Sequence, residues 1–120
     1  MHTVGTTLIS NGCAGGSIRN AFKYAITNGV TLLSNYAYTG SQTSCNTSKP
    51  IVSGFNISGC VNVPTYSEQS LRNAVHRTPV AVPMNGDAAG FIYYSYGQYD
   101  ALDCDPTIIN HVVTITGWST

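Results

Sequence analysis

The residues of this 120-residue chain that could do covalent chemistry are four cysteines and a histidine, His111, set in an apolar run. His111 stands in Asn110-His111-Val112-Val113, and Cys13 in Gly12-Cys13-Ala14-Gly15-Gly16. A thiol beside an imidazole makes a nucleophilic pair: the ring takes the thiol proton and holds the thiolate that results. Cys13 stands just before a predicted helix, where aligned peptide dipoles favour an anion. Cys45, Cys60 and Cys104 complete an even count with no CxxC zinc or redox spacing, which suits disulfides. His2 and His76 read as surface residues, and Asp100, Asp103 and Asp105 around Cys104 as a solvated loop. No metal site and no cofactor are expected.

The elements that must position these groups follow from pattern. Gly15-Gly16-Ser17 opens a helix in which Ile18, Phe22, Ala25 and Ile26 form one apolar stripe, with Arg19, Asn20 and Lys23 facing away. Asn28-Gly29 ends it. Thr39 to Pro50 is Ser, Thr, Asn and Gly-rich loop, and Ile51 to Val63 reads as an extended segment. A second helix starts at Thr65 or Ser67, with Thr65-x-x-Glu68 as a capping box and Leu71, Ala74 and Val75 as its apolar face. Pro79 ends it and Val80-Ala81-Val82 reads as a buried strand. Phe91 to Tyr99 is a tyrosine-dense extended or turning surface segment, and His111 to Trp118 a strand bounded by Gly117. Helix early and strands late make the chain α+β, a single domain over residues 1–120.

Composition narrows the function classes. Charged residues are 8% and sum to zero, so no basic patch meets a phosphate backbone and nucleic acid is excluded as a partner. No apolar run is long enough for a membrane-spanning helix. The weakly charged surface gives little electrostatic resistance to self-association. Two acceptor sequons, Asn46-Thr47-Ser48 and Asn56-Ile57-Ser58, lie in polar stretches. Beside the even cysteine count they predict an oxidising compartment, secreted or lysosome-like. The first five residues lack the basic start and apolar core of a signal peptide, so the expectation is that the chain begins internally or that its true start is not shown.

Five ordered pieces together resemble the papain-like, cathepsin-like cysteine peptidases over nearly the whole chain. Gly12-Cys13-Ala14-Gly15-Gly16 is similar to the family's G-C-x-G-G. Asn35-Tyr36-Ala37-Tyr38-Thr39-Gly40 is similar to its Y-P-Y-x-G, with Ala37 in place of proline, and Cys45 follows. Ser67-Glu68 through Pro79-Val80-Ala81-Val82 is similar to its helix and P-V-x-V strand, and Phe91-x-x-Tyr94-x-x-Gly97-x-Tyr99 to a surface segment leading to a cysteine, here Cys104. Asn110-His111-Val112-Val113 with Gly117-Trp118 resembles the strand bearing the catalytic histidine.

The resemblance implies a partial papain-like fold, one helix of the helical half plus strands of the barrel half. It implies that His111 is the general base, that Gly15 and Gly16 line the substrate cleft, and that Pro83, Ile109 and Val112 surround the pocket for the second residue before the cut. It also implies that the nucleophile lies elsewhere. Papain-type nucleophiles stand in C-G-[SA]-C-[WY], about 130–150 residues before the histidine. Cys13 is followed by Ala14, stands nearer than that, and corresponds to a disulfide partner in the family. The oxyanion-hole glutamine and the histidine-orienting asparagine of N-S-W-G have no counterpart either, since Trp118-Ser119 falls too soon after His111. By the family pattern, Cys13 and Cys45 pair upstream and Cys104 downstream, while Cys60 is additional, so pairing among the four is left open.

Two expectations follow. In the first, the chain is the histidine-bearing portion of a cysteine endopeptidase, inactive alone, meeting a peptide or protein substrate only when a nucleophile-bearing segment completes it. In the second, it is a non-catalytic derivative that self-assembles into an extracellular polymer or filament, helped by low charge, the tyrosines at 93, 94, 96 and 99, and unpaired strand edges.

Overall fold

Ser17 is the natural start of the first helix: its hydroxyl accepts from the Asn20 N–H at 3.4 Å, satisfying a donor that has no partner within the helix. Helix α1 then runs Ile18–Asn28, and Gly29 ends it, its N–H donating to the Ala25 carbonyl. Ile18, Phe22 and Ala25 of the expected stripe are half-buried, whereas Ile26 remains 41% exposed. The computed structural model describes residues 10–100 and 102–119. It divides into two compact units, one up to Asn62 and one from Val63 onward.

In the first unit a 3-10 turn, Gly12–Ala14, precedes α1. After α1 the chain has no further helix or strand up to Asn62 among the described residues. No strand therefore forms over Ile51–Val63, where an extended segment is expected, and a turn falls at Ser53 and Gly54. Among the described residues the segment's one backbone tie is from the Val52 N–H to the Val30 carbonyl at 2.8 Å, supported by Thr31 Oγ1 donating to the Pro50 carbonyl at 2.7 Å. β-branched residues favour a ladder only where a strand lies alongside to pair with, and one such bond does not make a ladder.

The second unit begins with helix α2, Glu68–Val75. Its cap is Ser67, whose Oγ accepts from the Ser70 N–H at 3.2 Å, so the box predicted on Thr65 and Glu68 is not used. Thr65 and Tyr66 form a turn instead, with Tyr66 at φ 57, which sets the helix start one step later. Strand β1, Val80–Met84, pairs antiparallel with β2, His111–Ile115, in the register Val80↔Ile115, Val82↔Val113 and Met84↔His111. Cross-strand partners point to one side. Val80, Val82, Met84, Val113 and Ile115 thus form a half-buried face, while Pro83, Val112 and Thr114 are exposed on the other. Val80-Ala81-Val82 is half-buried rather than buried, because β2 is the single strand paired to it among the described residues.

Between the strands the structure adds a short helix, α3, Ala89–Ile92, whose last two residues open the Phe91 to Tyr99 segment expected to be extended or turning. Ala88 before it is buried, as are Val75 and the side chain of Asn85. The expected turn does follow: Tyr94 donates its hydroxyl to the Gly97 carbonyl, and Tyr93 and Tyr96 face solvent. Beyond β2, Trp118 lies outside the strand, with the Arg72 guanidinium 5.2 Å over its ring. Arg72 also pairs with Glu68 one turn back, at 2.7 Å, so α2 and the segment after β2 are joined through one side chain. No helix among the described residues is long and apolar enough to cross a membrane.

Candidate active site around His111

The histidine sits where two chain reversals converge. As the first residue of β2 it lies opposite Met84, the last residue of β1, and the loop leaving β1 passes directly against it. Gly86 in that loop allows the approach: a Cβ there would stand 2.7 Å from His111 Cβ and 3.0 Å from Cγ. Carbon atoms in ordinary contact lie about 3.5–4.0 Å apart, so only glycine fits without displacement. The Phe91 ring from α3 covers the imidazole from another side, with centroids 6.0 Å apart and planes tilted by 55°.

Asn110, one residue before the histidine, fastens this loop to β2. Its Oδ1 accepts from the Gly86 N–H at 2.7 Å and its Nδ2 donates to Asp87 Oδ2 at 2.7 Å, while its backbone N–H donates to the Met84 carbonyl at 3.2 Å. Asn85 extends the fastening inward. It is 6% exposed, accepts from the Asp87 N–H at 3.0 Å and donates to the Asp105 carbonyl at 3.4 Å. An asparagine suits each place because one carboxamide carries both an acceptor and two donors.

The acidic loop after α3 serves as a brace. Asp103 accepts from the Gly90 N–H at 2.6 Å and from the Tyr99 hydroxyl at 2.8 Å. Those bonds, the backbone one first, hold its carboxyl below the usual carboxylate range. The same contact with Asp103 pushes the Tyr99 hydroxyl up to about 12. Asp105 accepts from both the hydroxyl and the N–H of Thr107, at 2.7 Å and 2.8 Å, which lowers it as well. Tyr99 also packs on Phe91, centroids 6.1 Å apart, so the brace reaches the ring that covers His111.

Of the other residues singled out in the sequence, Pro83 and Val112 are cross-strand partners, exposed side by side. Ile109, 57% exposed, precedes Asn110. His111 points to the opposite sheet face from Val112 and Pro83, at the first position of the strand. Gly15 and Gly16 belong to the first unit, both exposed, immediately before α1. Gly15 has φ +100 with open space around it, a backbone conformation that L side chains rarely adopt. Cys13, Cys45 and Cys60 are exposed and Cys104 half-buried, all as thiols. Cys45 Sγ lies 3.8 Å from the Tyr24 hydroxyl. Cys104, the cysteine in the same unit as His111, makes no hydrogen bond to it among the described residues. His76 caps the end of α2 at the surface, and His2 lies outside the described residues. No cluster of three or more His, Cys, Asp or Glu side chains that could hold a metal occurs among the described residues.

Asn85, Gly86 and Asp87 stand in no motif that the sequence reading singled out, so their place beside His111 was not anticipated. The one available signal is the Asn85-Gly86-Asp87 run directly after a strand, which is turn chemistry.

Residues 5–120 match the sequence pattern of the papain family cysteine proteases. The senescence-specific cysteine protease SAG12 of Arabidopsis thaliana is 37% identical over 108 residues, covering 89% of this chain and 31% of that protein. Vignain of Vigna mungo is 37% identical over 112 residues, 92% of this chain and 30% of the relative. Zingipain-2 of Zingiber officinale is 34% identical, over 98% and 52%. The chain thus spans about a third of the length of the first two curated relatives. Among solved structures, the cysteine protease CMS1MS2 of Carica candamarcensis in complex with E-64 superposes with a TM-score of 0.79 at 30% identity, over 89% of this chain and 49% of that one. An α+β chain with a partial papain fold, matched by pattern and by shape over most of its length, belongs to the papain family of cysteine proteases.

Proposed function

We propose that the chain is the histidine-bearing portion of a papain-family cysteine endopeptidase, with His111 as its general base. The observation that carries this reading is the placement of the Asn110-His111 pair at the strand end, fixed by Gly86, Phe91 and Asn110 within a chain that matches the family over residues 5–120. A general base works best in a defined orientation, and this exposed imidazole is flanked by the Gly86 loop and by the Phe91 ring. In the reaction His111 takes the proton of a cysteine thiol; the thiolate attacks the scissile carbonyl. The imidazolium then gives its proton to the leaving amine, and a water activated by the ring releases the acyl group.

The nucleophile is none of Cys13, Cys45, Cys60 and Cys104. Cys13 is followed by Ala14 and belongs to G-C-x-G-G rather than to the nucleophile motif, and Cys104 makes no hydrogen bond to His111. A cysteine on a further segment supplies it, and these 120 residues alone do not hydrolyse peptides. In the first unit Gly15 and Gly16 offer backbone without Cβ to an extended peptide. In the second unit, taken by itself, the exposed Pro83–Val112 pair with Ile109 offers an apolar surface to a peptide side chain. The compartment that fits four cysteines and two sequons is secreted or lysosome-like.

The test joins two measurements on native material: intact mass with and without reduction, and thiol-dependent peptide hydrolysis with and without E-64. The expected result is a protein carrying a Cys-Trp nucleophile segment whose hydrolysis E-64 abolishes, and no turnover by the 120-residue chain. Particles built of this chain alone, with no hydrolysis, would overturn the reading.

A further inference from the structure

The irregular stretch after α1 contains two motifs that peptide hydrolysis leaves unused, Asn46-Thr47-Ser48 and Asn56-Ile57-Ser58. All four of Asn46, Ser48, Asn56 and Ser58 are exposed, and none lies in a helix or strand. A bulky group attached there would displace no packed side chain. At Asn46 the surroundings hold the backbone N–H and the side-chain carbonyl and leave the amide nitrogen that a glycan would take. The backbone N–H donates to the Tyr36 hydroxyl at 3.1 Å and Oδ1 accepts from the Ser48 N–H at 3.0 Å, while Nδ2 has no partner among the described residues. The Asn56 side chain makes no hydrogen bond among the described residues and is open to solvent.

We propose that Asn46 and Asn56 both carry N-linked glycans. The asparagine Nδ2 attacks C1 of the first sugar of a lipid-pyrophosphate-linked oligosaccharide. A nitrogen–carbon bond forms, the C1–oxygen bond breaks, Nδ2 gives up one proton, and the lipid pyrophosphate leaves; nothing is oxidised or reduced. The consequence lies in what this stretch exposes. Between α1 and Asn62 there is no ladder and no fully buried side chain, and Tyr38, Ile51, Phe55 and Val61 are 89%, 60%, 52% and 93% exposed. Backbone that is free of secondary structure and flanked by apolar side chains is what an endopeptidase accepts, a copy of the enzyme itself included. Sugars at positions 46 and 56 shield it.

The experiment is intact-mass analysis of the native protein before and after a peptide-N-glycosidase, followed by peptide mapping. The expected result is a mass loss in two glycan steps, with aspartate replacing asparagine at 46 and at 56. N46Q and N56Q each remove one step. S48A and S58A remove the same steps with the asparagines kept, which preserves the test where a Gln variant fails to fold. Native peptides with unmodified Asn46 and Asn56 would overturn the proposal, and a glycan at one position alone overturns it for the other. The deglycosylated protein is expected to be cut several-fold faster between residues 30 and 62 under limited proteolysis; an unchanged rate removes the shielding role.

Discussion

Adding one methyl group at Gly86 is the sharpest perturbation of the proposed site. The new Cβ would stand 2.7 Å from His111 Cβ, against an ordinary contact of about 3.5–4.0 Å, so something must move by on the order of 1 Å. His111 Cβ is fixed to its backbone and cannot swing aside. The loop cannot yield freely either, because the Gly86 N–H is bonded to Asn110 and the next residue to buried Asn85. The strain therefore falls on the start of β2, and the imidazole shifts. Overpacking of this kind costs about 1–3 kcal/mol of stability. A misplacement of roughly 1 Å in a catalytic group costs on the order of 10²-fold in rate. Gly86→Ala is thus expected to lower kcat/KM of the nucleophile-bearing enzyme about 100-fold and to lower the urea midpoint of unfolding. Gly117→Ala, where a Cβ meets open space, is the control and leaves both unchanged. A Gly86→Ala enzyme with unaltered kcat/KM and midpoint would refute the steric argument.

Other consequences follow from the same geometry. Asn110→Ala removes the bonds to Gly86 and Asp87, which at net values of about 0.5–1.5 kcal/mol each and at a solvent-exposed position lowers stability by about 1 kcal/mol, read from the urea midpoint. Ser67→Ala removes the α2 cap and costs about 1 kcal/mol, whereas Glu68→Gln, which breaks an exposed ion pair, changes the midpoint by no more than about 0.5 kcal/mol. Asp103 has a depressed folded pKa, so its support for the Gly90 N–H is present above the unfolded carboxylate value and is lost as pH falls through the folded one. Amide exchange at Gly90, corrected for its intrinsic pH dependence, is expected to lose protection in that acid window, and Asp103→Asn to reduce the protection at neutral pH. Tyr99 moves the opposite way: its raised pKa gives a contribution present below about 10 and lost as pH rises through about 12. In an ultraviolet titration two of the eight tyrosines, Tyr99 and the Cys45-bonded Tyr24, ionise late, and in Asp103→Asn the lag of Tyr99 shortens.

What the sequence made legible was governed by distance along the chain. Helix α1 was readable to its ends because Ser17, the apolar stripe and Asn28-Gly29 act within one or two turns. The start of β2 was readable because His111 to Ile115 is a continuous apolar and β-branched run, but the strand expected to reach Trp118 stops at Ile115. The start of α2 was left between Thr65 and Ser67, since both suit the role; the turn at Tyr66 decides for Ser67, and the box on Thr65 is not used. The Ile51–Val63 segment has strand composition, but composition cannot report whether a partner strand lies alongside. Helix α3 was missed because Ala89–Ile92 is a single turn inside a tyrosine-rich stretch, too short for a period to show. At the site, His111 was recognisable from its neighbours in sequence. Its setting was not: Gly86 lies a strand and a loop away, and nothing in a lone glycine declares which side chain will pass over it. Asp103 looked like one of three solvated acids, yet it braces Gly90 and Tyr99, a pairing created only when the loop folds back.

Replacing His111 by alanine in the native, nucleophile-bearing protein tests the central claim most directly. The account predicts that kcat for a peptide substrate falls by more than about 10³-fold with the fold retained, since the thiol then has no base to take its proton and the leaving amine no acid. A folded His111→Ala protein that cleaves peptides at the unaltered rate would contradict it.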